Sequence, residues 1–442
     1  MTAHLIIGAG VAGIAAAEAV RAADPGASIT VATEDPFGYY SRPGLAYYLT
    51  GELSEEQLFP FRKSDFQALG LSWVAARAER IDPALQRVFF EGGSSLPYDR
   101  LLIASGSQAV PLAVPGADLH GVYKLDNMSD SRAILAGARK AREAVVVGGG
   151  ITALELVEGL RARKLKVHYF LRGERYWSNV LDEVESRIVE QHLVGQGVRL
   201  HTSTELVEVL GKNGRVTGVL TKSGETIACE LLAYAVGVQP RKELAERAGL
   251  RVERGILVDE HMRTSDPHIY AAGDAAQVYD PFSGRSVLDT LWNTARAQGQ
   301  AAGSNMAGRP AAYRKSVPLN VTRLAGLTTT IIGTVGRGSD PSLVGIARGD
   351  SETWRHLPDA IVVEHSADVH RVRLLFGEDH LLGAVVMGDQ TLSRPLQELI
   401  GAQAETSALR DVLQAEPESA RAAEQVLAFW TQWRAQHAGA RS

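Results

Sequence analysis

"HLIIGAGVAGIAAAEAVRAADPGASITVATE", residues 4–34, carries the pattern that decides the fold. A short apolar strand leads into a turn whose three glycines are Gly8, Gly10 and Gly13. An alanine-rich helix and a second strand follow, and that strand ends at Glu34, 21 residues after the third glycine. A strand, glycine turn, helix and strand with an acidic residue at about this spacing are typical of a dinucleotide-binding βαβ unit.

Each glycine of this turn has a separate physical task. We expect Gly8 to permit the tight turn and Gly10 to let the backbone approach a pyrophosphate. Gly13 would let the helix pack closely on the strand, while the N-terminal amides of the helix attract the phosphate charge. Glu34 would accept hydrogen bonds from ribose hydroxyls.

The same pattern returns in "AVVVGGGITALELVEGL", residues 144–160. Gly148 and Gly150 lie in its turn, and Ala153 takes the third position, where a small residue is tolerated. The strand 166–170 completes the unit. Two such units in one chain predict two dinucleotide-binding domains.

The composition is that of a well-buried α/β enzyme with several domains, since 45% of its 442 residues are apolar and 22% are charged. A net charge of -5 offers nucleic acid no general attraction. Because of this charge we expect no nucleic-acid binding. No apolar run is long enough to cross a bilayer, so we do not expect membrane contact.

The single cysteine, Cys229, excludes an intrachain disulfide and fits a cytoplasmic protein. It lies in an apolar segment that predicts a strand, where a buried structural thiol is expected.

Five short motifs follow one another along the chain. They are GAGVAG (8–13) with Glu34, ASG (104–106), GGGITALE (148–155), VGVQP (236–240) and YAAGDAA (270–276). In this order they resemble the pyridine nucleotide-disulfide oxidoreductase family of flavoproteins, over roughly residues 4–400. The resemblance implies FAD in the first dinucleotide-binding domain and NAD(P)H in the second.

The fold implied by this resemblance is α/β, with two Rossmann-like dinucleotide-binding domains and a C-terminal α+β domain. The FAD-binding domain would comprise residues 1–113 and 246–314, interrupted by an NAD(P)-binding domain at 114–245. From about residue 315 short strands and then helices indicate the separate α+β domain, 315–442.

Carried over position by position, the motifs imply a set of cofactor-binding residues. For FAD they are Gly8, Gly10, Gly13, Glu34, Arg42, Pro43, Ser105, Gly106, Gly273, Asp274, Leu291 and Trp292. For NAD(P)H they are Gly148, Gly150, Ala153, Arg172 and Gly237. Asp274 would meet the ribityl chain or the pyrophosphate, although the cap of a helix would also suit it. The backbone at 290–292 would approach the pyrimidine edge of the flavin.

The segment "SRPGLAYYLTGE", residues 41–52, covers the region where many members place a redox-active cysteine, and this chain has Pro43 there. Proline forms no disulfide, sulfenate or thiolate, so the resemblance implies hydride transfer to the flavin and release of electrons to another acceptor. The candidate catalytic residues are Glu155, near nicotinamide and flavin, and Tyr47, beside the flavin or filling core. Arg42 would meet the pyrophosphate or the flavin, or remain a solvated surface residue.

Arg42-Pro43-x-Leu45 is similar to the corresponding segment of ferredoxin and rubredoxin reductases and of the flavin module of assimilatory nitrite reductase. The leading hypothesis is therefore a FAD-dependent NAD(P)H oxidoreductase that passes electrons to a small carrier protein or a partner subunit. The alternatives are direct reduction of a quinone or oxygen, and a flavin-binding sensing protein. A homodimer through the C-terminal domain is a further prediction.

The choice between NADH and NADPH depends on the end of the strand at 166–170. Leu171 occupies the position where an acidic residue would bind ribose hydroxyls, and Arg172 and Arg175 follow it. An arginine there can accommodate a 2′-phosphate, which favours NADPH, whereas Glu174 would serve NADH.

A stripe of apolar residues characterises the C-terminal segment 417–438. Val426, Phe429, Trp430 and Trp433 would share one face of a helix. Three roles compete for this face: packing in the core or a dimer, contact with a partner protein, and contact with a membrane surface.

Overall fold

The computed structural model describes residues 2–281, 284–335, 361–364, 371–415 and 421–437. These residues form two compact units, each discontinuous in sequence. The first comprises Met1–Val147, Glu155–Lys166 and Leu206–Lys315, and the second comprises Gly148–Leu154, Val167–Glu205 and Ser316–Ser442, as far as those ranges are described. The division into three domains drawn from the sequence stays a prediction.

Strands alternate with helices around the two glycine turns, whereas elsewhere several strands follow one another directly. In chain order the strands are β1 (Ala3–Ile7), β2 (Ser28–Thr33), β3 (Leu71–Ala75), β4 (Ala78–Asp82), β5 (Arg87–Phe90), β6 (Ser95–Pro97), β7 (Arg100–Ile103), β8 (Ser107–Ala109), β9 (Val122–Lys124), β10 (Glu143–Val147), β11 (Lys166–Phe170), β12 (Arg199–His201), β13 (Leu206–Lys212), β14 (Arg215–Thr221), β15 (Thr226–Ala228), β16 (Leu231–Tyr234), β17 (Val238–Pro240), β18 (Ile256–Leu257), β19 (Ile269–Ala271), β20 (Ala276–Asp280), β21 (Arg285–Leu288), β22 (Leu319–Leu324), β23 (Leu327–Gly333), β24 (Ile361–Glu364), β25 (Arg371–Phe376) and β26 (Leu381–Met387).

The helices are α1 (Val11–Ala23), α2 (Gly44–Thr50), α3 (Lys63–Leu69), α4 (Met128–Ala138), α5 (Ile151–Ala162), α6 (Glu183–Gly195), α7 (Glu243–Arg247), α8 (Trp292–Met306), α9 (Ser393–Gly401), α10 (Ser407–Ala415) and α11 (Ala422–His437). Glu56–Leu58 and Gly273–Ala275 form two 3₁₀ turns.

The first unit is built around a five-stranded parallel sheet in the order β19-β7-β1-β2-β3. Its central strands are apolar and buried, as expected for a parallel sheet covered on both faces. Helices α1 and α8 cross so closely that two glycines of α8 leave no room for a side chain. A Cβ on Gly299 would lie 2.2 Å from the carbonyl oxygen of Ala12, and a Cβ on Gly303 would lie 2.3 Å from that of Ala16. This sheet places the first glycine turn at the carboxyl end of β1, where ligands of such sheets bind.

The same unit contains a second parallel group, β10-β16-β9, and smaller antiparallel sheets. The antiparallel groups are β4-β5-β6, β8-β17, β13-β14-β15 and β20-β21, with β18 pairing parallel to β20. The expectation that Cys229 lies within a strand is wrong, since the residue lies directly after β15, in the short connection between β15 and β16. Its thiol is buried, and this burial raises its pKa to about 12. Cys229 therefore fits a structural role.

In the second unit β11 pairs with β12 in parallel, and five strands form an antiparallel sheet in the order β22-β23-β26-β25-β24. Helices α9 to α11 cover one face of this sheet around Leu396, Leu413 and Val426. The predicted change at about residue 315 to short strands followed by helices is confirmed over the described residues, and the α/β fold class is likewise confirmed.

The C-terminal helix packs into this core along the predicted stripe. Val426 is buried, Phe429 is half-buried against the core, and the indole of Trp430 donates a 2.9 Å hydrogen bond to the Glu398 carboxylate. These contacts support the core-packing role of the stripe, while residues 417–420 and 438 of the predicted segment lie outside the described residues.

Candidate functional site

A cavity of about 540 Å³ opens at the carboxyl end of the parallel sheet of the first unit. Eight of the residues predicted to bind FAD line it: Gly8, Gly10, Glu34, Arg42, Ser105, Gly106, Gly273 and Asp274. These residues come from five separate stretches of the chain, and a volume of this size is typical of cofactor pockets.

The glycine turn approaches the neighbouring backbone too closely for any side chain at two of its positions. Gly8 has a φ of +109°, and a Cβ there would lie 2.1 Å from the Ala104 carbonyl oxygen. A Cβ on Gly13 would lie 2.0 Å from the Gly8 carbonyl oxygen. At Gly10, in contrast, no atom lies within 4 Å of the added Cβ, because that position faces the cavity. The backbone therefore leaves no room for a side chain at Gly8 and Gly13 and leaves Gly10 open to the cavity, while the roles of these glycines at a cofactor stay predictions.

Glu34 directly follows the last residue of β2 and lines the cavity. Its Oε1 accepts a 2.8 Å hydrogen bond from Arg241 Nη1, and its Oε2 lies 3.8 Å from Arg77 Nε. About half of the Glu34 side chain remains exposed. The carboxylate is thus held by two arginines, with oxygen lone pairs left to accept from ribose hydroxyls.

Asp274 lies in the 3₁₀ turn after β19. Its carboxylate accepts a 2.7 Å hydrogen bond from the Ser107 hydroxyl, and burial raises its pKa, against the opposing effects of that hydrogen bond and of Arg42. The backbone amide of Gly273 is held separately by the Gln298 side chain, at 2.8 Å. This loop is therefore fixed by two side chains that lie far away in sequence.

Arg42 is half exposed and donates to the Asp126 carbonyl oxygen at 3.3 Å, with the Asp126 carboxylate 3.9 Å away. The side chain of Asp126 is largely buried and also lies within 4 Å of Lys124 and Arg241. The guanidinium of Arg42 therefore lines the cavity and lies close to a charged network while remaining about half exposed to solvent, and its role at the cofactor stays a prediction.

The features of this cavity fit FAD. The glycine turn leaves no room for a side chain at Gly8, and the N-terminus of α1 at Val11 follows the open Gly10. The Glu34 carboxylate lies where the motif predicts contact with a ribose. Asp274 and Arg42 add a buried carboxyl group and a positive charge to the same lining. A dinucleotide with a diphosphate between two sugar chains would match this set of groups.

Pro43 and Tyr47 are not part of the cavity lining, although Arg42 next to them is. Pro43 is the exposed N-cap residue of α2, and Tyr47 is 38% exposed on that helix. Leu291 is the N-cap residue of α8, and Trp292 is 44% exposed at its first position. The roles assigned to these four residues stay predictions.

The second glycine turn belongs to the second unit. Gly148 has a φ of +146°, and its amide donates to the Phe170 carbonyl oxygen at 3.3 Å, which brings the turn to the end of β11. Ala153 is fully buried, while no atom lies within 4 Å of a Cβ placed on Gly150. The turn therefore has one position packed against the protein and one open position, as a cofactor cradle requires.

Arg172 follows the buried Leu171 directly and is exposed, two residues beyond β11. Arg175 turns back on its own loop and donates to the carbonyl oxygens of Ser178 and Leu181, at 3.1 and 3.3 Å. Of the two arginines considered for a 2′-phosphate, Arg172 is therefore the better placed to meet a ligand from solvent.

Glu155 and Gly237 lie in the first unit but not in the cavity lining. Burial raises the pKa of the Glu155 carboxyl to about 8, and the neighbouring Glu158 adds to the shift. Gly237 has a φ of +126°, in the left-handed region that favours glycine, and its carbonyl accepts from the Val110 amide at 3.0 Å. A carboxyl that titrates close to neutral pH is a common property of functional sites.

The site also contains residues that the sequence motifs did not indicate. They are Asp35, Arg77, Ser107, Arg241, Glu243 and Arg247. Arg241 directly follows the VGVQP motif, which is the one signal that could have pointed to it. The others carry no pattern of their own, since they reach the cavity only through the fold.

Comparison with known proteins supports the same assignment. The model of the pyridine nucleotide-disulphide oxidoreductase family matches residues 2–299. The ferredoxin–NAD(+) reductase component of the biphenyl dioxygenase system of Paraburkholderia xenovorans is 30% identical over 93% of this chain and 98% of its own length. Rubredoxin–NAD(+) reductase of Pseudomonas putida is 31% identical, over 69% of this chain and 80% of its own.

A solved structure shares the fold across both dinucleotide-binding domains. The ferredoxin reductase of Rhodopseudomonas palustris superimposes with a TM-score of 0.82 at 24% identity, covering 92% of this chain and 96% of that one. The predicted pair of Rossmann-like domains is thereby confirmed. Within the part of the chain that the structure describes, no helix is both long and apolar enough to cross a membrane.

Proposed function

The chain belongs to the pyridine nucleotide-disulphide oxidoreductase family, and on that premise we propose that it reduces a small electron-carrier protein of the ferredoxin or rubredoxin type. As members of this family do, it binds FAD and NAD(P)H and is an oxidoreductase. Relatives named for ferredoxin and rubredoxin reduction match most of its length, which supports the choice of acceptor.

One observation carries the proposal: the chain has a single cysteine, and Cys229 is buried between β15 and β16 with a raised pKa. A thiol in that state is a poor nucleophile and a poor metal ligand. Pro43 stands in the segment where thiol-dependent members carry their cysteine. A route through a disulfide or a sulfenate is therefore closed, and an external acceptor has to take the electrons.

When bound, FAD would accept hydride from NAD(P)H and release the electrons one or two at a time. The residues of this chain bind and orient the cofactor. The first glycine turn and the N-terminus of α1 would hold its diphosphate, and Glu34 its adenosine ribose. Asp274, fixed by Ser107, would accept from a hydroxyl of the ribityl chain. The second glycine turn would hold NAD(P)H.

The experiment is steady-state oxidation of NAD(P)H by the purified, FAD-loaded protein. Ferricyanide tests whether the flavin is reduced at all, and addition of a ferredoxin or a rubredoxin tests the acceptor. We expect the carrier protein to raise turnover well above that with a quinone or oxygen alone. Turnover that a carrier leaves unchanged would favour a quinone or oxygen reductase, and negligible turnover with loaded flavin would favour a sensing protein.

Coenzyme choice gives the first prediction. Because Leu171 replaces the acidic residue and Arg172 is exposed directly after it, we propose that Arg172 binds the 2′-phosphate of NADPH. Arg172→Ala should lower kcat/KM for NADPH about 10-fold, the loss of one charge-assisted hydrogen bond, and leave that for NADH within about twofold. An equal loss with both coenzymes would contradict this role. Arg175→Ala is the matched control.

The titration of Glu155 gives the second prediction. The pKa of the Glu155 carboxyl is about 8 in the folded protein and 4.5 in the unfolded chain. Between these two pH values the folded protein therefore holds a proton that the unfolded chain has lost. Stability therefore falls as the pH rises from about 4.5 to about 8, and Glu155→Gln should remove this loss. Thermal unfolding between pH 5 and 9 would measure it, with Glu158→Gln for comparison. A variant whose unfolding temperature depends on pH as in the natural protein would contradict the raised pKa.

Glu155 is also our candidate for the group that governs the pH dependence of flavin reduction. We expect the rate of flavin reduction by NAD(P)H, followed by stopped-flow absorbance, to change with an apparent pKa near 8. Glu155→Gln should abolish that transition.

The predicted homodimer and the cytoplasmic location stay predictions.

A further inference from the structure

Arg241 is held from several sides at the cavity. Its amide donates to the Gly106 carbonyl oxygen at 2.9 Å, and its own carbonyl accepts from the Ser105 hydroxyl at 2.9 Å. Both of these neighbours line the cavity, as Arg241 does. The backbone of Arg241 is thereby fixed to the loop that follows β7, and its side chain extends from a defined point.

The guanidinium of Arg241 connects two carboxylates. Nη1 donates to Glu34 Oε1 at 2.8 Å, and Nη2 lies 3.7 Å from Asp126 Oδ2. The Nε atom is buried and has no hydrogen-bond partner among the described residues. Because the side chain lines the cavity and 28% of it is exposed, a ligand in the cavity can reach the ends of the guanidinium rather than the buried Nε.

We propose, on the basis of the function proposed above, that Arg241 binds the diphosphate of FAD. A guanidinium offers five N–H donors and no acceptor, so it suits phosphate oxygens, which accept hydrogen bonds. Ribose hydroxyls can donate, and Glu34, which Arg241 already orients, would accept from them. Phosphate oxygens form short, charge-assisted and often bidentate hydrogen bonds with arginine. The diphosphate of a dinucleotide lies next to the ribose that Glu34 would bind, within the same cavity.

Two separate parts of the cavity lining would hold the diphosphate. The first glycine turn supplies backbone amides to the diphosphate from one side, and Arg241 supplies a positive charge from another. Arg77 also faces Glu34, but at 3.8 Å and with two thirds of its side chain exposed. Arg241 is thus the better buried of the two arginines, with 28% of its side chain exposed, and it should contribute more to affinity.

The test compares ligands that differ in phosphate. Apoprotein of the natural chain, of Arg241→Met and of Arg241→Lys is titrated with FAD, ADP and adenosine by calorimetry. We expect Arg241→Met to weaken FAD and ADP about 30-fold and to change adenosine affinity less than about twofold, since adenosine has no phosphate. Arg241→Lys should lose less than the methionine variant, because lysine retains the charge. Arg394→Met, a variant in the second unit, is the control.

The outcomes distinguish direct phosphate binding by Arg241 from an indirect effect through Glu34. Equal weakening of ADP and adenosine would overturn the proposal, because Arg241 would then act only by orienting Glu34. Unchanged FAD affinity in both Arg241 variants would overturn it as well. If the natural protein itself binds no FAD, the proposed function fails rather than the role of Arg241. If the methionine variant does not fold, the lysine variant decides by the same comparison of ADP with adenosine.

Discussion

Replacing Gly10 by valine is expected to remove FAD binding while the protein stays folded. The glycine is the N-cap of α1 with a φ of -75°, a backbone conformation that valine adopts without strain. No protein atom lies within 4 Å of the added Cβ, so the branched side chain would project into the cavity. We expect the dissociation constant of FAD to rise roughly 100-fold, equivalent to about 3 kcal/mol of steric exclusion.

Absorbance of the bound flavin and its stoichiometry would measure this effect, and the thermal unfolding of the apoprotein would show that the fold survives. Gly195→Val is the matched control, since that glycine also has no atom within 4 Å of its Cβ but lies at the end of α6. Gly8→Ala should behave differently and unfold more easily, because its Cβ would meet the Ala104 carbonyl. A Gly10→Val protein purified with a full complement of FAD would contradict our placement of the cofactor.

The second large effect concerns the buried ion pair of the second unit. Glu185 is fully buried and receives two hydrogen bonds from Arg373, at 2.8 and 3.1 Å. Arg373 also donates to the carbonyl oxygens of Val335 and Val180. Arg373→Met would leave an unpaired buried carboxylate, which typically costs about 3–5 kcal/mol and should lower the unfolding temperature by roughly 10 °C.

Differential scanning calorimetry would measure this loss against Arg394→Met. Arg394 forms a 3.1 Å ion pair with Glu398, but its side chain is 68% exposed, so its removal should cost less than about 1 kcal/mol. The double variant Arg373→Met/Glu185→Met should recover part of the loss, since it leaves no unpaired charge. Recovery would be incomplete because Glu185 also accepts the Asp182 amide at the start of α6. Equal losses in the single and double variants would show that the unpaired carboxylate is not the cause.

The outcome for the cavity lining shows where motif reasoning succeeds. Seven of the eight predicted FAD residues that line the cavity belong to the first glycine turn, the ends of β2 and β7 and the Gly-Asp loop, whose conformation depends on neighbours in sequence, while Arg42 lies in the loop before α2. The roles of Pro43, Tyr47, Leu291 and Trp292 rest on resemblance alone, and none of the four is among the lining residues. The apolar residues around Cys229 predict one continuous strand, whereas the chain there forms two strands joined by a two-residue connection that contains Cys229.

The contacts that sequence reasoning missed join positions far apart in the chain. Glu34 and Arg241 are 207 positions apart, and Ser107 and Asp274 are 167 apart, yet each pair is joined by a hydrogen bond. No periodicity or spacing connects such residues, because the path of the chain between them passes through other elements. The buried pair of Arg373 and Glu185, 188 positions apart, is a further case.

The sequence by itself determined the two βαβ units, the cradle for a dinucleotide and the absence of a redox cysteine in the segment around Pro43. These follow from local backbone requirements and from residue identity. Only the tertiary structure decided which charges surround the cavity, that Arg241 holds Glu34, and that burial raises the pKa of the Glu155 carboxyl. Ion pairs and pKa values depend on burial and on distances across the fold, and these quantities exist only after distant segments have packed together.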